Sequence, residues 1–160
     1  MSLPARVWVP LFAILLASCA GHSGDGDLAV DKLPKSQIQA TNYLPLNPDK
    51  PGMQVNVQRY LVPGKYNIVG YFSPYDGVSI NLGQKLVQLT QVRSDIAVRT
   101  VNVNRLGVEG IDWQSPIMQE ARIQKLPYFE IYDPAQNLRA RGRPAYEQVK
   151  QWTQSMSYQR

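Results

Sequence analysis

The sequence predicts an α/β fold in which a mixed β-sheet is flanked by helices. Segments rich in β-branched and aromatic residues alternate along the chain with segments whose apolar residues recur every three or four positions. Helices between the middle strands imply crossovers and therefore parallel pairing, whereas a short turn between the last two strands implies an antiparallel hairpin. Together these patterns predict a sandwich whose central sheet contains both kinds of pairing.

Two strands are predicted at the start of the domain. Residues 53–62 (MQVNVQRYLV) place apolar side chains alternately at Met53, Val55 and Val57 and end at a Pro-Gly-Lys turn, which is typical of a strand. Residues 66–73 (YNIVGYFS) form a mostly apolar run, as in a strand that is buried on both faces.

The middle of the chain predicts a helix, a strand and a second helix. Residues 78–93 carry apolar side chains at steps of three and four, which is the period of an amphipathic helix. Residues 96–104 (IAVRTVNVN) alternate imperfectly but favour a strand. The second helix is predicted over residues 115–124, with Ser115 as its N-cap and Pro116 at its first helical position.

Three further elements complete the prediction. Residues 127–133 (PYFEIYD) and 138–142 (LRARG) favour two strands joined by the turn residues PAQN, which form a hairpin. Residues 145–154 predict a closing helix with its apolar residues on one face. The predicted order is therefore β, β, α, β, α, β, β, α.

Composition limits both size and function. A chain of 160 residues with 44% hydrophobic residues suits one domain plus an additional segment. The net charge of +5 permits attraction to anionic surfaces, but the basic residues are scattered along the chain rather than grouped. We therefore expect no binding of nucleic acid.

The N-terminus predicts secretion and lipidation. Residues 1–18 contain one basic residue, Arg6, followed by an apolar run of 11 residues (VWVPLFAILLA), which matches a signal peptide and is too short to span a bilayer. The sequence LASC then resembles the bacterial lipobox, whose cysteine becomes the lipid-bearing first residue of the mature protein. The resemblance implies that Cys19 carries diacylglycerol and palmitate.

Cys19 is the only cysteine of the chain, so it has no partner for an intramolecular disulfide. Several acyl chains would anchor the protein stably, since each buried methylene contributes about 0.8 kcal/mol. The following residue, Ala20, implies the outer membrane of a bacterial cell envelope, with the domain facing the periplasm. The alternative is an ordinary cleaved signal peptide with an incidental cysteine.

A flexible tether is predicted between the anchor and the domain. Residues 19–52 are rich in Gly, Pro, Asp, Asn and Ser and show no sustained helical or strand period. As a coil they would span roughly 30 Å. His22, the only histidine, lies here, and we expect a solvated linker residue rather than a metal ligand, because the domain contains no second His or Cys.

Residues 55–154 resemble the thioredoxin superfamily. The segment PGKYNIVGYFSPYDG is similar to the family's strand and redox turn, which contain W-C-G-P-C, and SPIMQEARIQKLPYFEIYD is similar to the second helix and the strand after it. The resemblance implies a thioredoxin-like three-layer sandwich over residues 53–160. It also implies a cis peptide bond at Leu126-Pro127, after an I-x-x-[IVL]-P pattern; the alternative is a trans proline that opens an edge strand.

The turn that resembles the redox motif contains neither cysteine. Tyr75 matches the tryptophan, Asp76 the first cysteine, Gly77 the glycine, Val78 the proline and Ser79 the second cysteine. In the family the first cysteine is the nucleophilic thiolate and the second resolves the mixed disulfide. A carboxylate and a hydroxyl do neither, so these positions exclude thiol–disulfide exchange. We assign no catalytic residue, cofactor or metal ligand here.

Asp76 is expected to cap the following helix. Its side-chain oxygen can accept hydrogen bonds from free backbone N–H groups, and its charge suits the positive end of the helix dipole. The alternative is a catalytic acid. Ser79 has no general base, because a Ser-His pair would require His22 to fold back from the tether.

A group of acidic residues surrounds the second predicted helix. Glu109, Asp112 and Glu120 could in principle bind a cation or act as acid and base. Their spacing matches no dedicated site, so we expect solvated loop charges.

A basic edge is formed by Arg139, Arg141 and Arg143, of which the first two share one strand face by period two. This edge could contact anionic lipid headgroups, lipopolysaccharide or an acidic partner. The alternative is a solvated edge strand whose charge opposes aggregation.

A peptide groove is predicted beside the redox turn. By resemblance, Leu126 would offer its backbone to an extended chain, next to Pro127, Tyr128 and Tyr75, and such a groove can bind a peptide without any redox step. The alternative is that the aromatic rings of this region belong to the core. The rings are those of Tyr71, Phe72, Tyr75, Tyr128 and Phe129.

Three functions follow as hypotheses. The favoured one is a redox-inactive thioredoxin-like lipoprotein, tethered in the bacterial envelope, that binds or positions a protein partner. The second is an accessory factor in envelope thiol-redox or metal delivery, whose thiols come from another protein. The third is a binder of anionic ligands or envelope polymers through the basic edge.

Overall fold

A five-stranded mixed sheet forms the centre of the protein. The computed structural model describes residues 30–155. In chain order the helices and strands are α1 (Lys35–Ala40), β1 (Tyr43–Pro45), β2 (Tyr66–Phe72), α2 (Gly77–Val92), β3 (Ile96–Asn102), α3 (Pro116–Glu120), β4 (Tyr128–Tyr132), β5 (Leu138–Arg141) and α4 (Arg143–Ser155). Short 3-10 helices cover Val30–Lys32 and Val57–Tyr60.

The strands lie in the order β1-β3-β2-β4-β5. β1, β3 and β2 are parallel, whereas β4 pairs antiparallel with β2, and β5 pairs antiparallel with β4. Helix α2 supplies the crossover that parallel pairing between β2 and β3 requires. The predicted α/β class, with both kinds of pairing in one sheet, is confirmed.

Helices cover both faces of the sheet. On one face, Ile38 of α1 and Met118 of α3 pack in one apolar cluster with residues of β2 and β3. On the other face, Leu86 of α2 and Val149 of α4 pack in a second cluster. Full burial of side chains of this size contributes about 1.5–3 kcal/mol each, so the two clusters fix the helices against the sheet.

The predicted elements from residue 66 onward are confirmed, with differences at their ends. The one large difference is α3, which was predicted over residues 115–124 and ends at Glu120. The helix ends early because Arg122 adopts φ 51°, outside the right-handed helical region. Ser115 does occupy the N-cap, but its buried hydroxyl makes no hydrogen bond with any residue in the described range.

The first predicted strand, residues 53–62, is wrong. Part of this segment is the 3-10 helix Val57–Tyr60, and none of it is a strand. Val57 and Tyr60 are both buried, as residues three apart are when they share one side of a 3-10 turn. Three alternating apolar residues were therefore too short a pattern to distinguish a strand from a 3-10 helix.

The predicted boundary between tether and domain at residue 53 is also wrong. α1 and β1 lie within the segment predicted as tether, and β1 pairs with β3 at the edge of the sheet. Ile38, Leu44 and Leu46 are buried in the domain. These three residues anchor the segment, because all of them belong to the apolar core. The part of the predicted tether before Val30 lies outside the described residues.

None of the helices between Val30 and Ser155 is long and apolar enough to cross a membrane.

Candidate functional site

The turn between β2 and α2 is closed by hydrogen bonds to Asp76. Asp76 occupies the N-cap of α2 with extended backbone angles, and its carboxylate accepts a hydrogen bond from the Ser79 N–H at 2.9 Å. The same carboxylate oxygen accepts the Ser79 hydroxyl at 2.6 Å. The predicted cap is therefore confirmed, and it engages the hydroxyl as well as the N–H.

Ser79 is not arranged as a nucleophile. Its side chain is buried, and its hydroxyl hydrogen is directed at Asp76. Residues 30–155 contain no histidine that could act as its base, since the only histidine, His22, lies outside the described residues. The pair Asp76 and Ser79 therefore stabilises the start of α2 and offers no thiol or activated hydroxyl.

A second network holds the turn from the sheet side. The Ser73 hydroxyl donates to Asn104 Oδ1 at 2.7 Å and accepts the Tyr75 N–H at 3.1 Å. Asn104 in turn donates to the carbonyl of Gly110. Strands β2 and β3 are parallel, so their carboxyl ends lie at the same end of the sheet. Ser73 follows β2 and Asn104 follows β3, which brings the two residues together there. Sequence reasoning missed this network, although polar residues directly after two apolar strands were its signal.

A cleft of about 680 Å³ lies beside this turn. Its walls include Val78 of α2, Tyr146 of α4, and Leu126, Pro127 and Tyr128 at the start of β4. The Leu126-Pro127 peptide bond is cis, as predicted. Three of the four residues predicted for a peptide groove thus line one cleft.

Tyr75, the fourth residue predicted for the groove, is exposed on the turn and does not line this cleft. Among the other aromatic side chains, Tyr71 and Phe129 are buried in the core. Tyr128 contacts Tyr71 edge-on, with ring centroids 5.7 Å apart. Phe72 is partly buried and packs against the cluster that contains Phe129. Three of the five rings therefore belong to the core or pack against it, and Tyr128 joins that core to the cleft.

The charges around the cleft are mainly positive. Arg122, Lys125 and Arg143 are exposed and line it, together with a single acidic residue, Glu147. Sequence reasoning had placed Arg143 in the basic edge, whereas Arg122 and Lys125 were missed. They lie five and two residues before Pro127, and no local pattern placed them at the cleft.

Arg122 follows α3 in a left-handed conformation. The Ile123 N–H donates to the Met118 carbonyl at 3.0 Å, and the Arg122 N–H donates to the Gln119 carbonyl at 3.3 Å. These two bonds form a Schellman motif, in which glycine is the usual residue at the position of Arg122. Arg122 thus carries a side chain in a backbone conformation that favours glycine.

Arg139 and Arg141 are exposed on β5, the edge strand of the sheet. Arg143 begins α4 and lies at the cleft. The predicted basic edge therefore divides into two residues on the strand and one residue at the cleft. Its two strand residues form no salt bridge with any residue between Val30 and Ser155.

The three residues of the predicted acidic group do not share one environment. Asp112 is buried and forms a salt bridge with Arg105, with Arg105 Nε 2.6 Å from Asp112 Oδ2. Hydrogen bonding from Arg105 holds the pKa of Asp112 below its ordinary value. The prediction of a solvated loop charge is therefore wrong for Asp112, whose buried side chain holds the loop together through its salt bridge with Arg105. Glu109 and Glu120 are exposed. Within residues 30–155 no three His, Cys, Asp or Glu side chains group as metal ligands.

Arg99 of β3 is fully buried and has no acidic partner among the described residues. Its guanidinium donates to the carbonyls of Tyr60 at 2.7 Å, Thr41 at 3.0 Å and Ile38 at 3.0 Å. Burial lowers its pKa to about 10, so it stays charged at neutral pH. Arg99 thereby fastens the segment around α1 to the sheet.

A carboxylate and two tyrosines meet on the α1–α3 face. The hydroxyls of Tyr132 and Tyr71 donate to the same oxygen of Glu130, at 2.9 and 3.3 Å. Burial, and next the charge of Glu130, raises the pKa of both tyrosines well above the ordinary value. Both hydroxyls therefore remain protonated donors at physiological pH.

The predicted lipidation site, Cys19, and the predicted sorting residue, Ala20, lie outside the described residues.

Comparisons with known proteins identify a fold. No family model matches the sequence, and no curated protein is significantly similar to it. Among solved structures, thioredoxin f from spinach chloroplast, long form, is 15% identical, covers 78% of this chain and 96% of its own, and has a TM-score of 0.51.

Two further solved structures are similar with lower scores. Thioredoxin f2, in its complex with ferredoxin:thioredoxin reductase, is 15% identical and covers 72% of this chain and 96% of its own, with a TM-score of 0.49. Thioredoxin f2 from Chlamydomonas reinhardtii is 20% identical and covers 58% and 81%, with a TM-score of 0.41. Identities this low concern the fold and not the activity. From the sheet topology and the likeness to the spinach protein, the chain has a thioredoxin-like fold.

Proposed function

We propose that this protein is a redox-inactive thioredoxin-like lipoprotein, held in the bacterial envelope by a lipid on Cys19, that binds a protein partner in the cleft beside Pro127. One observation carries the proposal. The cleft is open and lined by Leu126 and Tyr128, whereas the adjoining turn carries the hydrogen-bonded pair Asp76 and Ser79 in place of thiols.

The backbone at the cleft supports docking of an extended chain. The ladder between β2 and β4 ends at the pair Tyr71 and Tyr128, so Leu126 and Pro127 precede it without a partner strand. A peptide laid along such a segment gains main-chain hydrogen bonds, and neighbouring pockets select its side chains. Partner binding by this route needs no covalent step.

The short stretch of chain between the anchor and the folded domain limits how far the domain can lie from the membrane. The chain from Cys19 to Val30, even fully extended, reaches at most about 40 Å. The partner would therefore be bound close to the membrane surface, and a periplasmic or membrane-associated protein fits this range.

Photocrosslinking tests the docking site. A photoreactive amino acid at Val78, which lines the cleft and is 52% exposed, should give a specific adduct with a partner in intact cells. The matched control is Val92, which is 62% exposed at the other end of the same helix, about 21 Å away along its axis. No specific adduct from position 78, or the same adducts from both positions, would count against docking in the cleft.

The anchor is tested separately. Cells fed a palmitate analogue should label the wild-type protein but not Cys19→Ser, and that variant should leave the membrane fraction. A labelled Cys19→Ser protein would contradict the lipid on Cys19.

A second candidate function is the binding of an anionic envelope polymer or lipid headgroup along β5. It is favoured by the exposure of Arg139 and Arg141 on an edge strand. Arg139→Glu should then weaken binding to lipopolysaccharide, and salt should weaken it as well, because exposed charges are screened over about 10 Å at 0.1 M salt. Binding that is indifferent to both changes would exclude this function.

A further inference from the structure

We infer that the cleft beside Pro127 takes an acidic, extended segment of its partner protein, and that Arg122 is a specificity-determining residue for that segment. The inference rests on the proposed function and names the chemistry of its partner.

The first argument is the charge of the cleft. Three cationic side chains line it, Arg122, Lys125 and Arg143, against one carboxylate, Glu147. The salt bridges found between Val30 and Ser155 join other residues, Arg93 with Asp95 and Arg105 with Asp112, so the three cations have no ion-pair partner in that part of the chain. Like charges gathered around one cleft repel one another, and carboxylates of a bound segment would relieve that repulsion.

The second argument is the apolar surface between the charges. Val78, Pro127 and Tyr128 line the same cleft as the cations. Side chains of an extended chain alternate between its two faces, so a segment that alternates apolar and acidic residues would meet both kinds of surface. A basic segment would make the same apolar contacts, but the three cationic side chains that line the cleft would repel its charges.

The third argument is the backbone at Arg122. The residue holds φ 51° at the end of α3, where glycine fits without steric strain. A purely structural role would favour glycine. The arginine instead places a cation on the wall of the cleft, which points to a use for its side chain.

Peptide binding to the full chain, purified in detergent, tests the inference. The probes are a fluorescein-labelled eight-residue peptide that alternates glutamate with valine, and the same peptide with glutamine or lysine in place of glutamate. One exposed ion pair changes affinity by about two- to fivefold, so three cations should make the glutamate peptide bind about tenfold tighter than the glutamine peptide or better. The difference should shrink in 1 M salt, where screening acts within about 3 Å.

Variants assign the effect to the cleft. Arg122→Gly, Lys125→Gln and Arg143→Gln should each weaken binding of the glutamate peptide about two- to fivefold, whereas Glu147→Gln should strengthen it. Lys85→Gln removes an exposed charge from α2 outside the cleft and should leave binding unchanged. Arg122→Gly should also keep or raise the midpoint of thermal unfolding, because it relieves the left-handed backbone.

Two results would overturn the inference. Equal binding of the glutamate and glutamine peptides, including no binding of either, excludes acidic specificity. A lower unfolding midpoint in Arg122→Gly with unchanged peptide binding makes Arg122 a structural residue. Both results are distinct from failure of the proposed function, which is read from the adduct at position 78 and does not depend on the charge of the partner.

Discussion

The Asp76 carboxylate binds Ser79 twice, through its N–H at 2.9 Å and its hydroxyl at 2.6 Å. The resemblance to thioredoxins matches these two residues to the cysteines of the redox motif. In this protein they are joined by hydrogen bonds that fix the first turn of α2. These bonds stabilise the start of α2, and Val78 in the same helical turn lines the neighbouring cleft.

Asp76→Ala should destabilise the protein, because it removes the side chain that caps α2. An N-cap of this kind contributes about 1 kcal/mol to the free energy of unfolding, which urea denaturation would measure. Asp76→Asn, which keeps a capping oxygen, is the matched control and should lose much less. Equal stability of the alanine variant and the wild type would show that the cap is not effective.

Asp76→Cys combined with Ser79→Cys should give the turn a functional dithiol. In a Cys19→Ser background, the two cysteines should form an intramolecular disulfide, which mass spectrometry detects as the loss of two hydrogens. The N-terminus of α2 should lower the pKa of the first thiol below the ordinary value of about 8.5, as measured from thiolate absorbance. A pair that stays reduced under oxidising conditions would contradict the assignment of this turn.

Arg99→Met should destabilise the protein strongly. It leaves the carbonyls of Thr41 and Tyr60 without a donor, whereas the Ile38 carbonyl still accepts the Thr41 N–H at 3.4 Å. Each buried unsatisfied group costs about 1–3 kcal/mol, so a loss of about 2 kcal/mol or more is expected. The amide of Leu46, bonded to Thr100, should exchange its hydrogen faster as β1 loosens.

The control for Arg99 is Arg93→Met, which breaks an exposed pair with Asp95. Pairs of this kind contribute less than about 1 kcal/mol. A comparable loss of unfolding free energy in both variants would mean that the burial of Arg99 does not cause the destabilisation.

Acid should weaken the protein partly through Asp112. Hydrogen bonding from Arg105 lowers the pKa of Asp112 in the folded protein. A carboxyl with a lowered folded pKa contributes stability above its unfolded pKa of about 3.9, and that stability is lost as the pH falls through the folded value. Urea denaturation at pH 5, 4 and 3 should therefore show a smaller acid-induced loss in Asp112→Asn than in the wild type.

Arg105→Gln should reduce the acid-induced loss in the same direction, because it removes the main cause of the shift. Lys85→Gln changes the net charge equally without touching the pair. Identical pH dependence in all four proteins would refute the role of Asp112.

Long periodic segments made most of the fold predictable. The apolar period of α2 indicates a helix, and the short, mostly apolar run of β2, rich in β-branched and aromatic residues, indicates a strand. α1 and β1 are short, and Pro and Asn flank them, so their few buried residues did not stand out from a linker. The buried Arg99 was visible as a charge inside an apolar strand, but its partners are carbonyls distant in sequence, which no local pattern indicates.

The candidate site was predictable to a similar degree. The motif resemblance placed the cap at Asp76 and the cis bond before Pro127, because both depend on local sequence. Arg122 and Lys125 could not be assigned to a cleft, since the early end of α3 is set by the conformation of Arg122 itself. Charge at a cleft depends on which loops the fold brings together.

The central claim is that a partner binds beside Pro127 without thiol chemistry. The most direct measurement is the photocrosslinked adduct from position 78, compared between cells whose thiols have been blocked with N-ethylmaleimide before irradiation and untreated cells. We expect the same adduct in the same yield, and none from position 92. Loss of the adduct after thiol blocking would contradict the claim and favour an accessory role in which another protein supplies the thiols.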